Sequence, residues 1–62
     1  MNPFAERLKK LRSDQHLSQN ALAGFIGVSK SSVNMYERGE REPGFNTVAA
    51  IADYFKVDID YL

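Results

Sequence analysis

Two short segments of this chain begin in the same way and lie next to each other. In each, an apolar residue precedes a serine and another apolar residue follows four positions after it: Leu17, Ser18 and Leu22 in one, Val28, Ser29 and Val33 in the other. A serine hydroxyl at a helix start accepts from a free backbone N–H, and the two apolar residues pack across it as a hydrophobic staple. The pattern predicts two helices joined by a tight corner at Gly27-Val28, where glycine adopts a left-handed backbone without Cβ strain.

Three further helical segments are predicted, which makes five in all. The first has Asn2 as its cap and Pro3 at its first position, with Phe4, Leu8 and Leu11 forming an apolar stripe. Gly39 ends the third segment. The fourth gathers five apolar residues on one face, namely Phe45, Val48, Ile51, Ala52 and Phe55. Asp58 is expected to cap a last short turn over residues 59–62. The predicted fold class is all-α, a compact five-helix bundle in which residues 1–62 form a single domain.

The composition excludes several classes of function. The chain has 62 residues and no cysteine, so disulfides and thiolate metal ligands are absent. His16 is the sole histidine, so no metal site, cofactor or small-molecule ligand is expected, and we expect no enzyme. No basic leader precedes an apolar run, and no run of apolar residues is long enough to span a membrane, so a cytoplasmic location is expected.

The charge is balanced overall but unevenly distributed. The net charge is zero, yet residues 1–41 hold seven Lys or Arg against four Asp or Glu, whereas residues 42–62 hold one against four. The first two-thirds of the chain therefore carry an excess of three positive charges. This asymmetry favours an orientation of that part toward a polyanion, although the excess is modest.

The predicted corner lies within a wider family pattern. With Gln19 as position one, Ala23 is fifth, Gly27 ninth, Val28 tenth and Val33 fifteenth, and each has a packing reason. Further matching stretches are Leu17-Ser18-Gln19, Ile26-Gly27-Val28-Ser29, Tyr36-Glu37-Arg38-Gly39, Pro43 and Val57-Asp58-Ile59-Asp60-Tyr61-Leu62. The chain resembles the lambdoid phage repressor and Cro helix-turn-helix proteins, often called the XRE family. The resemblance covers nearly the whole chain and places the helix-turn-helix at about residues 18–38.

The resemblance implies a sequence-specific transcriptional regulator, most simply a repressor, that reads the major groove of double-stranded operator DNA. On a helical wheel, Tyr36 and Glu37 fall near Val33 on the core side, and the candidate base readers fall on the opposite arc or at its edge: Lys30, Ser31, Asn34 and Met35. Lysine can donate to guanine, asparagine can pair with adenine, and methionine can pack on a thymine methyl. The family likeness supports Lys30, Ser31 and Met35 in particular.

Contacts to the DNA backbone are expected at helix starts and from cations near the reading helix. The candidates are Gln19, Ser29, Arg38 and Arg41, the last weakened by its neighbours Glu40 and Glu42. The family commonly pairs the positions of Arg12 and Glu37, so we predict a structural ion pair between the first and third helices.

Two other expectations concern partners. Regulators of this type act as homodimers, and here the contacts would involve Ile59, Tyr61 and Leu62. The alternative function is a protein-interaction module on the same fold, as in antitoxins or co-activators. Departures from the family pattern are Gly24 inside the second helix and Phe25 beside it, whose ring is expected to pack locally more readily than to meet a partner.

Overall fold

The computed structural model describes residues 2–62, which form four α-helices and one 3₁₀ turn. The helices are α1 (Pro3–Asp14), α2 (Gln19–Ile26), α3 (Lys30–Glu37) and α4 (Phe45–Phe55), and the turn is Ile59–Tyr61. The predicted all-helical fold with a helix-turn-helix at α2 and α3 is therefore confirmed. The prediction of five helices is wrong, because the last segment is a single 3₁₀ turn of 3 residues. So short a piece favours the tighter i→i+3 bonding over an α-helical ladder.

The first three helices begin at their predicted caps. The side-chain oxygens of Asn2, Ser18 and Ser29 accept hydrogen bonds from the backbone N–H groups of Phe4 at 3.0 Å, Ala21 at 2.9 Å and Ser32 at 3.0 Å, respectively. Each bond satisfies one donor that the first helical turn leaves without a partner. By contrast, the side chain of Asp58 makes no capping bond.

The corner between α2 and α3 is as tight as its sequence predicts. Gly27 has φ of 76° and ψ of 33°, in the left-handed region, and its N–H donates to the carbonyl of Ala23. The N–H of Val28 donates to the same carbonyl at 3.0 Å. Two backbone bonds therefore close α2 and turn the chain sharply toward the Ser29 cap of α3.

The core takes one fully buried side chain from each α-helix: Leu8, Leu22, Val33 and Ile51. Helix α3 packs against both α1 and α2, and α4 packs against α2. Phe45, expected on the inner face of α4, is instead 72% exposed. It is the first residue of that helix, so its side chain lies beyond the packed surface. None of the helices among residues 2–62 is long and apolar enough to cross a membrane.

Candidate nucleic-acid interface

Helix α3 has a buried face and a face that lies at the surface. Val33 is fully buried and Tyr36 is 3% exposed, so these two side chains fix the inner face. On the other side, Lys30 and Ser31 are exposed, whereas Asn34 and Met35 are half-buried. All four candidate base readers therefore remain accessible, and the first turn of the helix is the most open part.

Three of the candidate readers line one surface depression. Its lining residues are Gln19, Lys30, Ser31 and Asn34. Gln19 is the first residue of α2, so the depression lies where the start of α2 meets the start of α3. The structure thus joins a predicted backbone-contact residue to three predicted base readers, while Met35, one turn after Ser31, lies outside this lining.

The ion pair between Arg12 and Glu37 is hydrogen-bonded to Gln19, which lines the depression. Arg12 of α1 and Glu37 of α3 make two hydrogen bonds, from Nε to Oε2 at 2.6 Å and from Nη2 to Oε1 at 3.0 Å. The side chain of Arg12 is 15% exposed and that of Glu37 is 3% exposed. The ion pair anticipated from the sequence is therefore present and bidentate, with the Glu37 side chain nearly covered and Arg12 half-buried. Such a pair fixes geometry as well as charge.

Further hydrogen bonds extend this ion pair in both directions. Arg12 Nη1 donates to the carbonyl of Leu17 at 2.7 Å, which ties α1 to the segment before α2. Gln19 Nε2 donates to Glu37 Oε1 at 3.1 Å and to Asn34 Oδ1 at 3.4 Å. No half-buried or buried side chain within residues 2–62 has a fully covered polar atom without a partner. The network therefore connects α1, α2 and α3 to the depression.

The charge of Arg12 is secured by this arrangement. The hydrogen bond to Glu37 raises the pKa of Arg12 above its ordinary value, aided by the attraction of the carboxylate and opposed by burial, which lowers it. The stabilisation of the charged form by the pair therefore exceeds the cost of removing the guanidinium from water.

A second polar cluster surrounds the start of α3. The hydroxyl of Ser29 caps the helix by accepting from the Ser32 N–H, and it donates to Ser32 Oγ at 3.0 Å. Arg41 Nη1 in turn donates to Ser32 Oγ at 3.4 Å. Two of the predicted backbone-contact residues, Ser29 and Arg41, therefore lie together at this helix start, where free N–H groups and the helix dipole favour anions.

Arg38 lies apart from this cluster and has an acidic partner. Its Nη2 is 2.9 Å from Glu40 Oε2, and both side chains are largely exposed, at 62% and 45%. An exposed pair of this kind contributes little to stability. Glu40 therefore weakens the attraction of Arg38 for an anion, although the sequence had suggested that it would weaken that of Arg41.

One residue of this surface, Ser32, and one ion pair, between Arg38 and Glu40, were not predicted from the sequence. Ser32 bridges Ser29 and Arg41, and its position three residues after a serine cap was a usable signal. Glu40 follows the end of α3, where no helical spacing links it to Arg38, so its pairing carried no sequence signal.

The departures from the family pattern lie on another surface. Phe25 is 58% exposed, and its ring stacks on Tyr54 with centroids 4.9 Å apart and planes 14° apart. Offset or parallel stacking of two rings adds to the effect of their burial. The ring of Phe25 therefore packs locally, against α4.

Comparison with known proteins agrees with this architecture. The family model described as Helix-turn-helix matches residues 8–62, and the chain belongs to this helix-turn-helix family.

Among its relatives is the Bacillus subtilis protein YqaE, an uncharacterized HTH-type transcriptional regulator, which is 37% identical over 59 residues. That match covers 95% of this chain and 51% of the relative. The transcriptional repressor RstR of a cryptic CTXphi phage in Vibrio cholerae is 34% identical, over 90% of this chain and 50% of its own. The chain thus spans about half the length of these curated relatives.

Two solved structures have nearly the same fold. The P22 c2 repressor in complex with a synthetic operator matches with a TM-score of 0.92 and 28% identity, over 98% of this chain and 92% of that one. The restriction-modification controller protein C.AhdI of Aeromonas hydrophila matches with a TM-score of 0.87 and 30% identity, over 95% and 89%.

Proposed function

We propose that this domain binds double-stranded DNA in a sequence-specific manner and regulates transcription. The observation that carries the proposal is the accessible face of α3, where Lys30, Ser31 and Asn34 share a depression with Gln19. An α-helix fits the major groove, and these side chains supply the donors and acceptors that distinguish base pairs there. The relatives named as HTH-type transcriptional regulators, and the neighbour whose structure contains an operator, support the same function.

Base contacts are assigned to Lys30, Ser31, Asn34 and Met35. Lys30 and Ser31 are exposed in the first turn of α3, which is the part of a recognition helix that meets base edges. Met35 is half-buried and lies further along, so its role is apolar contact with a thymine methyl. Residues of the depression would therefore distinguish base pairs by hydrogen bonds, whereas Met35 in the next turn would distinguish them by apolar contact.

Contacts to phosphates are assigned to Gln19, Ser29, Arg38 and Arg41. Ser29 and Arg41 lie together at the start of α3, so one phosphate can meet both the guanidinium and the helix N–H groups. Arg38 must leave Glu40 to reach a phosphate. Because the pair is exposed, this costs little.

Repression is the simpler mode of regulation, because a protein that occupies a promoter needs no second surface. Relatives of both kinds exist, since RstR is named a repressor and BcrR of Enterococcus faecalis an activator. A promoter carrying the bound site and driving a reporter should therefore lose expression when the protein is present. Increased expression would contradict repression without affecting DNA binding.

The dimer surface is assigned to Ile59 and Tyr61, which are 41% and 42% exposed. Leu62, the third predicted contact, is half-buried and packs against the domain's own core, so it contributes less. Two-fold symmetry in the protein would appear as two inverted half-sites centred about 10–10.5 bp apart, or a multiple of this distance. Bound sites that contain a single half-site would contradict the dimer.

Selection from random duplex DNA tests the central proposal. The purified protein should enrich a common half-site, and Lys30→Ala should weaken binding to that site by at least about tenfold while the unfolding temperature stays the same. Lys9→Ala removes an exposed lysine of α1 and serves as the matched control, with a small effect expected. Absence of any enriched sequence would reject the proposal and favour a protein-interaction module.

A further inference from the structure

The hydrogen bonds around Glu37 determine how the amide of Gln19 is turned. A carboxylate can only accept, and Glu37 already accepts two bonds from Arg12. The Gln19 atom that lies 3.1 Å from Glu37 Oε1 is therefore the NH₂ nitrogen, as the structure has it. The opposite flip would bring the amide oxygen against the carboxylate oxygen, which no hydrogen could bridge. The ion pair thus sets the orientation of Gln19.

The same reasoning extends to Asn34. The second hydrogen of Gln19 Nε2 goes to Asn34 Oδ1, at 3.4 Å. If the Asn34 amide were flipped, two NH₂ groups would meet, with donors on both sides. A chain of fixed orientations therefore runs from Arg12 through Glu37 and Gln19 to Asn34, and its last member lines the depression on α3.

This orientation leaves Asn34 with more donors than acceptors to offer a ligand. One lone pair of Oδ1 is engaged by Gln19, whereas the NH₂ group has no hydrogen-bond partner within residues 2–62. Lys30 beside it is also a donor only. A base edge with two acceptors, guanine N7 and O6, suits this surface, whereas adenine presents one acceptor and one donor.

We propose, on the basis of the DNA-binding function above, that Gln19 makes Asn34 a reader of guanine and disfavours the adenine pairing that asparagine usually makes. Adenine N6–H has to share Oδ1 with Gln19. A carbonyl oxygen has two lone pairs and the Gln19 bond is long, so the outcome is a preference for guanine on the order of fivefold. Gln19 is then a positioning residue for specificity, in addition to any contact it makes with the backbone.

The test measures base preference at one position of the selected duplex. Each G·C pair of the best site is replaced by A·T in turn, and the affinity ratio is measured for the wild type and for Asn34→Ala. The expected result is one position at which the wild type prefers guanine about fivefold and Asn34→Ala has a ratio near one. Unchanged preferences in Asn34→Ala, or an Asn34-dependent position that prefers adenine, would overturn the proposal.

A second variant tests the role of Gln19 directly. Gln19→Met has a similar size and no donor, so it frees Oδ1 and should move the ratio at the Asn34-dependent position toward adenine. Loss of a backbone contact alone would weaken binding to all sequences alike and leave this ratio unchanged, which would contradict the inference. A third variant, Asn34→Asp, replaces the donor group by an acceptor and should abolish the guanine preference. Its control is Asn20→Asp, which makes the same change at an exposed residue of α2 and should retain the preference.

Failure of the inference and failure of the proposed function give different results. If the wild type enriches no duplex sequence, both are rejected. If a half-site is enriched but no base preference depends on position 34 or 19, DNA recognition stands and only the orientation of Asn34 is rejected. Circular dichroism at rising temperature shows that each variant is folded under the binding conditions.

Discussion

Three donors from two helices converge on the carboxylate of Glu37. Arg12 supplies two of them and Gln19 the third, and the side chain of Glu37 is 3% exposed. A buried charge without its partner is costly, even where the intact pair adds little to stability. The consequences of changing this group therefore differ from those of changing an exposed ion pair.

The variant Arg12→Met tests how much the fold depends on the ion pair between Arg12 and Glu37. It leaves the Glu37 carboxylate buried with Gln19 as its remaining side-chain donor, so we expect the free energy of unfolding to fall by about 3–5 kcal/mol. That equals the whole margin that a core of this size typically supplies. Urea unfolding followed by circular dichroism measures the loss.

Lys10→Met is the matched control for this variant. Lys10 makes an exposed i,i+4 pair with Asp14 at 3.2 Å, so its loss should cost no more than about 0.5 kcal/mol. The pKa of Arg12 is raised. The charged guanidinium therefore contributes fully to the free energy of unfolding below the ordinary arginine pKa, and this contribution is lost only as the pH rises through the raised pKa. The difference between the two variants should therefore be the same at neutral and mildly alkaline pH. Equal losses in the two variants would show that covering the Glu37 carboxylate adds no cost when Arg12 is removed.

At the scale of the helix, the starts were predictable and the ends less so. A helix start is a local event, because one side chain and the next three residues decide it, and Asn2, Ser18 and Ser29 carried that signal. Two other chain reversals use non-glycine residues in the left-handed region, His16 with φ of 57° and Lys56 with φ of 58°. Histidine adopts this backbone more often than most residues, whereas lysine has no such preference, so neither end carried a signal as clear as that of a glycine.

The exposed face of α3 was predictable, but its connections to other elements were not. Helical periodicity placed Ser31 and Asn34 on one face, with Lys30 at its edge, and these three side chains line one depression in the structure. The same periodicity failed for Phe45, since a wheel does not show where the neighbouring helices stop. The bond from Gln19 to Asn34 depends on how α2 and α3 are placed relative to each other, which no local pattern encodes. The pairing of Arg38 with Glu40 depends on the turn that follows α3, which has no regular side-chain spacing.

Two glycines of the helix-turn-helix should respond to alanine in opposite directions. A Cβ at Gly24 or at Gly27 would meet no atom within 4 Å, so backbone conformation alone decides each result. Gly24 lies inside α2, where alanine should raise the free energy of unfolding by about 0.5–1 kcal/mol. Gly27 has φ of 76°, where alanine should lower it by about 1–2 kcal/mol.

Thermal unfolding of the two alanine variants, measured side by side, checks this prediction. Each variant is the control for the other, because the change in side chain is identical and the positions are three residues apart. Destabilisation of both to the same extent would show that the Gly27 corner is not specially dependent on the left-handed backbone.

Across the whole molecule, the balanced charge limits how strongly the protein can hold any DNA. The affinity of a protein for duplex DNA falls with salt in proportion to the phosphates it neutralises, with a slope of about −0.9 for each. Two cations of the proposed surface are assigned to phosphates, namely Arg38 and Arg41. A plot of log affinity against log salt should therefore have a slope of about −2 per chain.

Two charge variants make this prediction specific. Arg41→Gln should reduce the magnitude of the slope by about one. Lys56→Gln removes a lysine from the acidic end of the chain and should leave the slope unchanged. An equal effect of both variants would mean that overall charge, and not the start of α3, governs binding. Filter binding to the selected duplex over a range of salt concentrations measures both slopes.

The position of Arg12 has a genetic consequence. It lies on α1, behind the face of α3, yet through Glu37 and Gln19 it governs the amide at position 34. A screen for mutants that recognise a changed operator should therefore return substitutions on α3 but none of Arg12, because loss of its charge removes about the whole folding margin. Evolution toward a new target would have to preserve this charge or rebuild the support beneath the reading helix, so specificity and folding are inherited together.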